Sequence, residues 1–351
     1  MVRKDISDLL DLFWNRLHKG AAMRRVLMVL AAAALLGGAA PAVASATEGV
    51  PQFGHVFVII GENTELGQIN KSDAPFLLGT VKPHAAWLSN YFAVTHFSEA
   101  NYAAMTSGQF TRCEQFDGAI ASCHQNVQNL FHQLDAAGIS WQSWLESMPA
   151  PCYVVSAGSA KTLNHYGAKH NPAVFYDNVE GLNGVWSANP AGQSRECKNN
   201  DIPAGGTDPN DMSAFNQAVS AGKVGRFNFI VPNECEDGHD NCKPQGNGVA
   251  QFDAFLGKEV PLIENSPAFR SHGVLIITFD EGTSNRGPGS SKQFSGGGNV
   301  AFAVISPLAQ PGVYASTYNH YSFLRTLEDG FGIAGHPANA ATASPINTIW
   351  K

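Results

Sequence analysis

Apolar residues along this chain come in short unbroken runs rather than in alternation. His55-Val56-Phe57-Val58-Ile59-Ile60, Phe227 to Val231, Val274 to Phe279 and Val300 to Ile305 are all rich in Val, Ile and Phe. Continuous hydrophobicity over five or six residues predicts strands buried on both faces, hence a mostly parallel sheet between helices. A helical period lies between them: Leu130, Phe131 and Leu134 share one face of the segment Asn129 to Ala137, and Gly138 stops it. The expected class is α/β, a three-layer α/β/α sandwich with a mostly parallel central sheet. Gly282 to Gly298 and Asn199 to Asp211 are long and polar, and read either as rims around a site or as surface insertions.

The chemistry gathers where the apolar runs end. Val274 to Phe279 gives way to Asp280-Glu281-Gly282, and the run from His55 gives way to Gly61-Glu62-Asn63. Carboxylates delivered by buried strands are costly unless something cationic neutralises them. Oxygen ligands at the carboxyl ends of two strands point to a divalent metal at the top of the sheet, its identity open. A third polar cluster, Pro232 to Asp240 with His239 and Asp240, follows the run ending at Val231. Thr95 to Tyr102, with His96 and Ser98, precedes a short helical turn from Ala103 to Ser107-Gly108, and Asn319-His320-Tyr321-Ser322 opens another helical segment. Ser98 near a helix amino terminus reads either as an ordinary cap or as a nucleophile whose charge the free amides favour.

Before this body the sequence carries an export signature. Met23-Arg24-Arg25, the apolar run Val26 to Leu36 and the small residues Ala44-Ser45-Ala46 have the three regions of a signal peptide, with Met23 as the expected start. The apolar run is short for a membrane span, so no stable membrane anchor is expected and the product is secreted or held in the cell-envelope space. Residues 1 to 46 hold six Lys/Arg and three Asp/Glu; the rest keeps 16 basic and 26 acidic side chains, a net charge of −10. That balance excludes a nucleic-acid partner. No repeat or linker divides residues 47 to 351, so one domain is expected. Six cysteines in an exported chain predict three disulfides, and pairing of sequence neighbours joins Cys113 to Cys123, Cys152 to Cys197 and Cys235 to Cys242.

Taken in order, Glu62-Asn63, His96-x-Ser98-x-x-Asn101-Tyr102, Lys169-His170-Asn171-Pro172, His239-Asp240, Asp280-Glu281-Gly282 and His320-Tyr321-Ser322-x-x-Arg325 through Gly332 resemble the secreted phosphoesterase family. That family contains bacterial phospholipases C and acid phosphatases and belongs to the alkaline phosphatase superfamily. The resemblance runs from about residue 53 to 335. It implies an alkaline-phosphatase-like fold, metal ligation by Glu62, Asn63, Ser98, Asp280 and Glu281, and Ser98 as nucleophile. It also implies substrate contacts or leaving-group protonation by His96, Asn101, His170, His239, Asp240 and His320.

The run Glu62-Asn63-Thr64-Glu65 departs from the Glu-Asn-His/Arg-Ser-Phe-Asp run of the larger phospholipase members, which favours the shorter phosphatase-like branch. The expected function is therefore a metal-dependent phosphomonoesterase acting on small phosphate esters through a phosphoserine. A phospholipase C or other phosphodiesterase on the same scaffold is the alternative. It calls for an aromatic rim, for which Phe92, Phe97, Tyr102, Trp141 and Trp144 are the candidates, though core packing accounts for most of them. A catalytically silent secreted binding protein is the alternative from another class. A sulfatase lacks its Cys/Ser-x-Pro-x-Arg signature here.

Overall fold

The computed structural model describes residues 48–110, 117–288 and 296–351. The expected signal segment, its start at Met23, and Cys113 lie outside the described residues. The described strands are β1 (Val56–Gly61), β2 (Ala86–Leu88), β3 (Tyr91–Phe92), β4 (Trp141–Leu145), β5 (Asp201–Pro203), β6 (Phe227–Val231), β7 (Val274–Phe279), β8 (Phe302–Ile305), β9 (Gly312–Tyr314) and β10 (Tyr318–Asn319). The longer helices are α1 (Ser98–Ser107), α2 (Leu130–Ala136), α3 (Ser213–Ser220), α4 (Gly248–Asn265) and α5 (His320–Phe331).

Eight strands form one sheet in the order β5, β4, β6, β1, β7, β8, β2, β9, and β3 pairs with β10 beside it. Within the large sheet only β8 runs against its neighbours, β7 and β2; every other pairing is parallel. The four apolar runs supply β1, β6, β7 and β8, and all of their strand residues are buried, as continuous hydrophobicity requires of a covered parallel sheet.

The rings show what covers each face. Phe227 and Phe229, two residues apart and so on one side of β6, meet Phe131 of α2, Phe331 of α5 and Tyr102 of α1 at centroid distances of 6.1 to 6.4 Å. Phe279 of β7 packs edge-on against Phe252 of α4 at 5.0 Å. One helical layer holds α1, α2 and α5, and the other α3 and α4, giving the α/β/α sandwich expected.

Register fixes where the strands stop. Val56 of β1 stands opposite both Phe227 and Val274, and Gly61 opposite Phe279, so Glu62 and Asp280 leave the sheet side by side. Gly61 is required there, because a Cβ would meet the Phe279 ring at 2.6 Å and the Phe252 ring at 2.9 Å.

Three elements differ from the sequence reading. Helix α1 begins at Ser98 rather than after Tyr102, because Phe97 turns the chain with a left-handed φ of 77° immediately before it. The segment Asn199 to Asp211 is not all loop: Asn199 and Asn200 end the helix Arg195–Asn200, and Asp201–Pro203 form β5, paired to β4 through Ser143↔Asp201. Strand β4, with Gln142 and Ser143 in its middle, has too little continuous hydrophobicity to stand out, and Trp144 there donates its indole N–H to Asn228 Oδ1 at 3.2 Å. Among the described residues no helix is long and apolar enough to cross a membrane.

Asp201 is fully buried in β5, and its Oδ2 accepts a 2.9 Å hydrogen bond from Asn171 Nδ2. Burial raises its pKa from 3.8 to about 7 against that one hydrogen bond. The folded protein therefore holds a proton there that the unfolded chain has already released, and ionising it in place costs stability as pH rises from about 4 to about 7. Denaturant unfolding across that window should show stability falling with pH, and Asp201→Asn should flatten this part of the profile. An unchanged profile in the variant would remove Asp201 from the account.

Candidate active site

Three neighbouring parallel strands, β6, β1 and β7, end at one edge and each hands over acids. From β1 come Glu62 and Asn63; from β7, Asp280 and Glu281; from the turn after β6, Asp237, with His239 and Asp240 beyond it. Asn63 adopts a left-handed φ of 46° and donates its backbone N–H to Asp280 Oδ1 at 3.1 Å, tying the β1 and β7 ends together. Gly238, with φ of 104°, turns the third segment so that the Glu62 N–H donates to the Asp237 carbonyl at 2.8 Å.

Ser98 is the first residue of α1 and is fully buried. Its hydroxyl does not cap the helix; Oγ donates to Glu62 Oε2 at 2.8 Å. Glu62 Oε1 accepts from the Tyr102 hydroxyl one helical turn on, at 2.6 Å. Presenting Ser98 requires Phe97 at positive φ, a conformation costing roughly 1–3 kcal/mol in a bulky residue. Asn101 holds it. Its Oδ1 accepts from the N–H groups of Val94 and Thr95 at 3.1 and 3.3 Å, and its Nδ2 donates to the carbonyls of Thr95 and Phe97 at 2.9 and 3.2 Å. With both ends of the amide spent on this loop, Asn101 shapes the elbow and does not face a substrate.

The centre is a crowd of buried acids with unused lone pairs. Glu62, Asp237 and Asp280 are all fully buried, and Asp237 Oδ2 and Asp280 Oδ2 accept no hydrogen bond. Between them lies His170. Its Nε2 is 3.3 Å from Glu62 Oε2 and its Nδ1 3.4 Å from Asp237 Oδ2, neither in hydrogen-bonding geometry, while its ring stacks on Tyr102 at 5.5 Å. Burial, reinforced by the neighbouring Asp280 and Asp237 charges, pushes Glu62 well above the carboxylate range. Burial does the same for Asp237, and it lifts Asp280 to about 7 with help from Glu281. Burial drives His170 the other way, well below the usual imidazole value, so it is neutral and its lone pair is available.

Glu62, His170 and Asp237 offer ligand atoms within 4.8 Å of one another. Oxygen-rich, desolvated and short of donors, the cluster fits a divalent cation. Asp237 escaped the sequence reading; its place two residues before His239 and after a strand was the available signal.

Around this centre the other histidines take distinct places. His320, the first residue of α5, is fully buried, with Nε2 2.5 Å from the Asp280 carbonyl and Nδ1 2.9 Å from the Tyr91 hydroxyl. Only Nε2–H can donate to that carbonyl, so Nδ1 accepts from Tyr91, and burial lowers the pKa to about 4. Both nitrogens are committed, so His320 positions Asp280 and has no proton to give a leaving group. His96 Nδ1 lies 2.6 Å from Glu281 Oε2, and its Nε2 3.1 Å from the Ser284 carbonyl. Glu281 is thereby drawn to His96, and hydrogen bonding to Glu281 raises the His96 pKa.

His239 faces a polar cradle. Its Nδ1 is 3.0 Å from Asp240 Oδ1, and its Nε2 is 3.2 Å from Lys169 Nζ. Burial would lower Lys169, but Asp117, Glu62 and Glu234 outweigh it and hold the pKa above its ordinary value. Lys169 is also 3.4 Å from Asp117 Oδ2. Asp240 Oδ2 and Glu234 Oε2 meet His165 Nδ1 at 2.9 and 3.0 Å, so Asp240 is spent on the two histidines. The disulfide Cys235–Cys242 closes the loop carrying His239 and Asp240, and Cys152–Cys197 is the second described disulfide; both are sequence neighbours as expected. The third expected pair involves Cys113, outside the described residues. Of the aromatic candidates, Tyr102, Trp141 and Trp144 are buried, while Phe97 is 46 % exposed.

If a cation is held here, the hydrogen bond from Tyr102 orients one of its ligands. Removing such a partner typically weakens metal binding 10–100-fold. Tyr102→Phe should lose affinity for added divalent metal in that range, measured by calorimetric titration, with the fold intact. Unchanged affinity would place Glu62 outside the ligand set.

The profile of the Phosphoesterase family matches residues 54–334. A phosphatidylinositol-3-phosphatase of Mycobacterium tuberculosis is 29% identical over 332 residues, covering 93% of each chain. A probable acid phosphatase of Kluyveromyces lactis is 30% identical over 282 residues, 79% of this chain but only 58% of the yeast protein. Among solved structures, a protein of the alkaline phosphatase superfamily from Vibrio parahaemolyticus superposes with a TM-score of 0.55 over 84% of this chain and 71% of its own, at 13% identity. At that identity the likeness speaks for the fold alone.

Proposed function

We propose that this chain, which belongs to the Phosphoesterase family and is a phosphoric ester hydrolase, is an exported, metal-dependent phosphomonoesterase with Ser98 as its nucleophile. Residues 47 to 351 would form its single domain, released from the signal segment before them. The observation that carries the reading is the 2.8 Å hydrogen bond from Ser98 Oγ to Glu62 Oε2, formed at the amino end of α1 among carboxyls that end adjacent strands. The two disulfides fit an oxidising compartment. Both relatives described above are named as phosphatases, which favours monoesters over the phospholipase alternative.

Glu62, Asn63, Ser98 and Asp280, with Asp237 and His170 beside them and Glu281 behind, would hold the divalent ion. When bound, such an ion lowers the pKa of a serine hydroxyl and withdraws charge from a phosphoryl oxygen. The chain's own groups do the rest. Glu62 Oε2 receives the Ser98 proton as Oγ bonds to phosphorus and the ester oxygen departs. The positive amino end of the α1 dipole, whose Glu99 N–H is given to Asp117 Oδ1, would favour the accumulating negative charge. Lys169 Nζ stands 3.2 Å from His239 Nε2, and this pair would supply the proton to the leaving alkoxide. Water would then attack phosphorus from the vacated side and give a proton to the same pair, while the P–Oγ bond breaks, Oγ takes back the proton held on Glu62, and inorganic phosphate leaves. Asn101, His320 and the His96–Glu281 pair hold the elbow and the strand ends rather than touching the ester.

Ser98→Ala should lose at least about three decades of kcat on 4-nitrophenyl phosphate while its thermal midpoint stays close to that of the parent. Retention of most activity would exclude Ser98 as nucleophile.

A further inference from the structure

His165 has no part in the chemistry above, yet it closes a cluster that reaches the reaction centre. Two imidazoles, His165 and His239, face each other across two carboxylates. His165 Nδ1 lies 2.9 Å from Asp240 Oδ2 and 3.0 Å from Glu234 Oε2. His239 Nδ1 lies 3.0 Å from Asp240 Oδ1 and 3.4 Å from the same Glu234 Oε2. Each histidine therefore takes one oxygen of Asp240, and both crowd one oxygen of Glu234.

The other end of the His239 ring decides which tautomer the cluster holds. Its Nε2 is 3.2 Å from Lys169 Nζ. An ammonium has only N–H donors, so Nε2 meets it with a lone pair and the ring proton sits on Nδ1. That proton needs an acceptor that cannot turn away. Asp240 is partly exposed, and with Oδ2 unbound its carboxylate would be free to rotate toward water. The hydrogen bond from His165 to Oδ2 fixes the carboxylate plane and leaves Oδ1 for His239. Burial would raise the Asp240 pKa, but the hydrogen bonds from His165 and His239 outweigh it and hold the carboxyl below its usual value, so both oxygens accept. His165 is itself pinned through the backbone. The Glu234 N–H donates to the His165 carbonyl at 2.8 Å, the Asp240 N–H donates to the Glu234 carbonyl at 2.7 Å, and the Cys235–Cys242 disulfide closes this loop.

Resting on the proposed function, we infer that His165, together with Glu234, is a positioning residue for the Lys169–His239 proton donor. By holding Asp240 it sets the His239 ring with its proton on Nδ1 and Nε2 toward Lys169, which aims the pair at the leaving oxygen. Without it the acceptor turns and the tautomer is no longer fixed, and an Nε2–H would be set against the Lys169 ammonium. The cost falls on protonation of the departing ester oxygen and not on attack by Ser98.

The test compares the parent with His165→Phe and His165→Asn, all mature and metal-loaded. Turnover is measured on methyl phosphate, whose alkoxide must be protonated to leave, and on 4-nitrophenyl phosphate, whose anion departs unaided. His165→Phe keeps the bulk of the ring without its N–H. It should lose about 10- to 100-fold in kcat on methyl phosphate and less than about threefold on 4-nitrophenyl phosphate, with KM nearly unchanged. His165→Asn, whose amide N–H can stand where Nδ1–H stood, should restore most of the methyl phosphate rate. Nitrogen NMR of isotope-labelled histidine should show His239 with its proton on Nδ1 in the parent and in His165→Asn, and no longer so in His165→Phe. Equal losses on both esters, no loss on either, or no recovery in His165→Asn overturns the inference. A parent His239 protonated on Nε2 alone, or an unchanged tautomer in His165→Phe, overturns it as well. So does loss of one bound metal ion per chain from His165→Phe while the strand-end ion stays, which would make the cluster a metal site. In all of these cases a parent that still turns over both esters keeps the proposed function. A parent that hydrolyses neither ester overturns the proposed function and this inference together.

Discussion

The structure turns on one electrostatic constraint: three carboxyl groups, Glu62, Asp237 and Asp280, are fully buried at the ends of adjacent parallel strands. Desolvated acids so close together cannot all be ionised without a counter-charge. Each is accordingly pushed toward its protonated form, and unpaired lone pairs remain on Asp237 and Asp280. A divalent cation is a partner that would relieve all three at once.

The surroundings keep this arrangement from relaxing. Asn63 at positive φ and the Asp237 carbonyl bind the three strand ends to one another through backbone hydrogen bonds. His320 fixes Asp280 from behind through its carbonyl, and Tyr91 fixes the tautomer of His320. On the opposite side the Asn101 amide makes four hydrogen bonds to the loop that turns at Phe97, so Ser98 enters α1 with its hydroxyl already on Glu62. At Asn63 and Phe97 the left-handed φ serves the placement of site residues, and hydrogen-bonded neighbours hold it there.

Much of the scaffold was legible in the sequence, because strands buried on both faces leave an unbroken apolar signal: β6 and β7 coincide with the runs read from it, and β1 differs by one residue at each end. Strand β4 was not legible, since Gln142 and Ser143 interrupt its run and its burial comes from tertiary packing. At the site, sequence order gave the strand ends carrying Glu62 and Asp280 but not the direction of side chains. Asn101 belongs to the same motif as Ser98 and His320 opens another, yet the Asn101 amide is consumed by the backbone of its own loop and the His320 nitrogens by the Asp280 carbonyl and the Tyr91 hydroxyl, partners that no motif spells out. Asp237 had no pattern of its own. Its role emerges because parallel pairing of β1 with β6 carries the turn after Val231 to the Glu62 backbone.

The most direct test of this account is the number of protons released when a divalent metal binds the metal-free mature protein. It is measured by titration calorimetry near pH 6 in buffers of different ionisation enthalpy. Crowded, buried acids that hold protons until a cation replaces them predict saturable binding with release of more than one proton per ion, reduced in Asp280→Asn. Binding with no proton release, or no binding at all, would contradict the claim that the strand-end cluster is built around a cation.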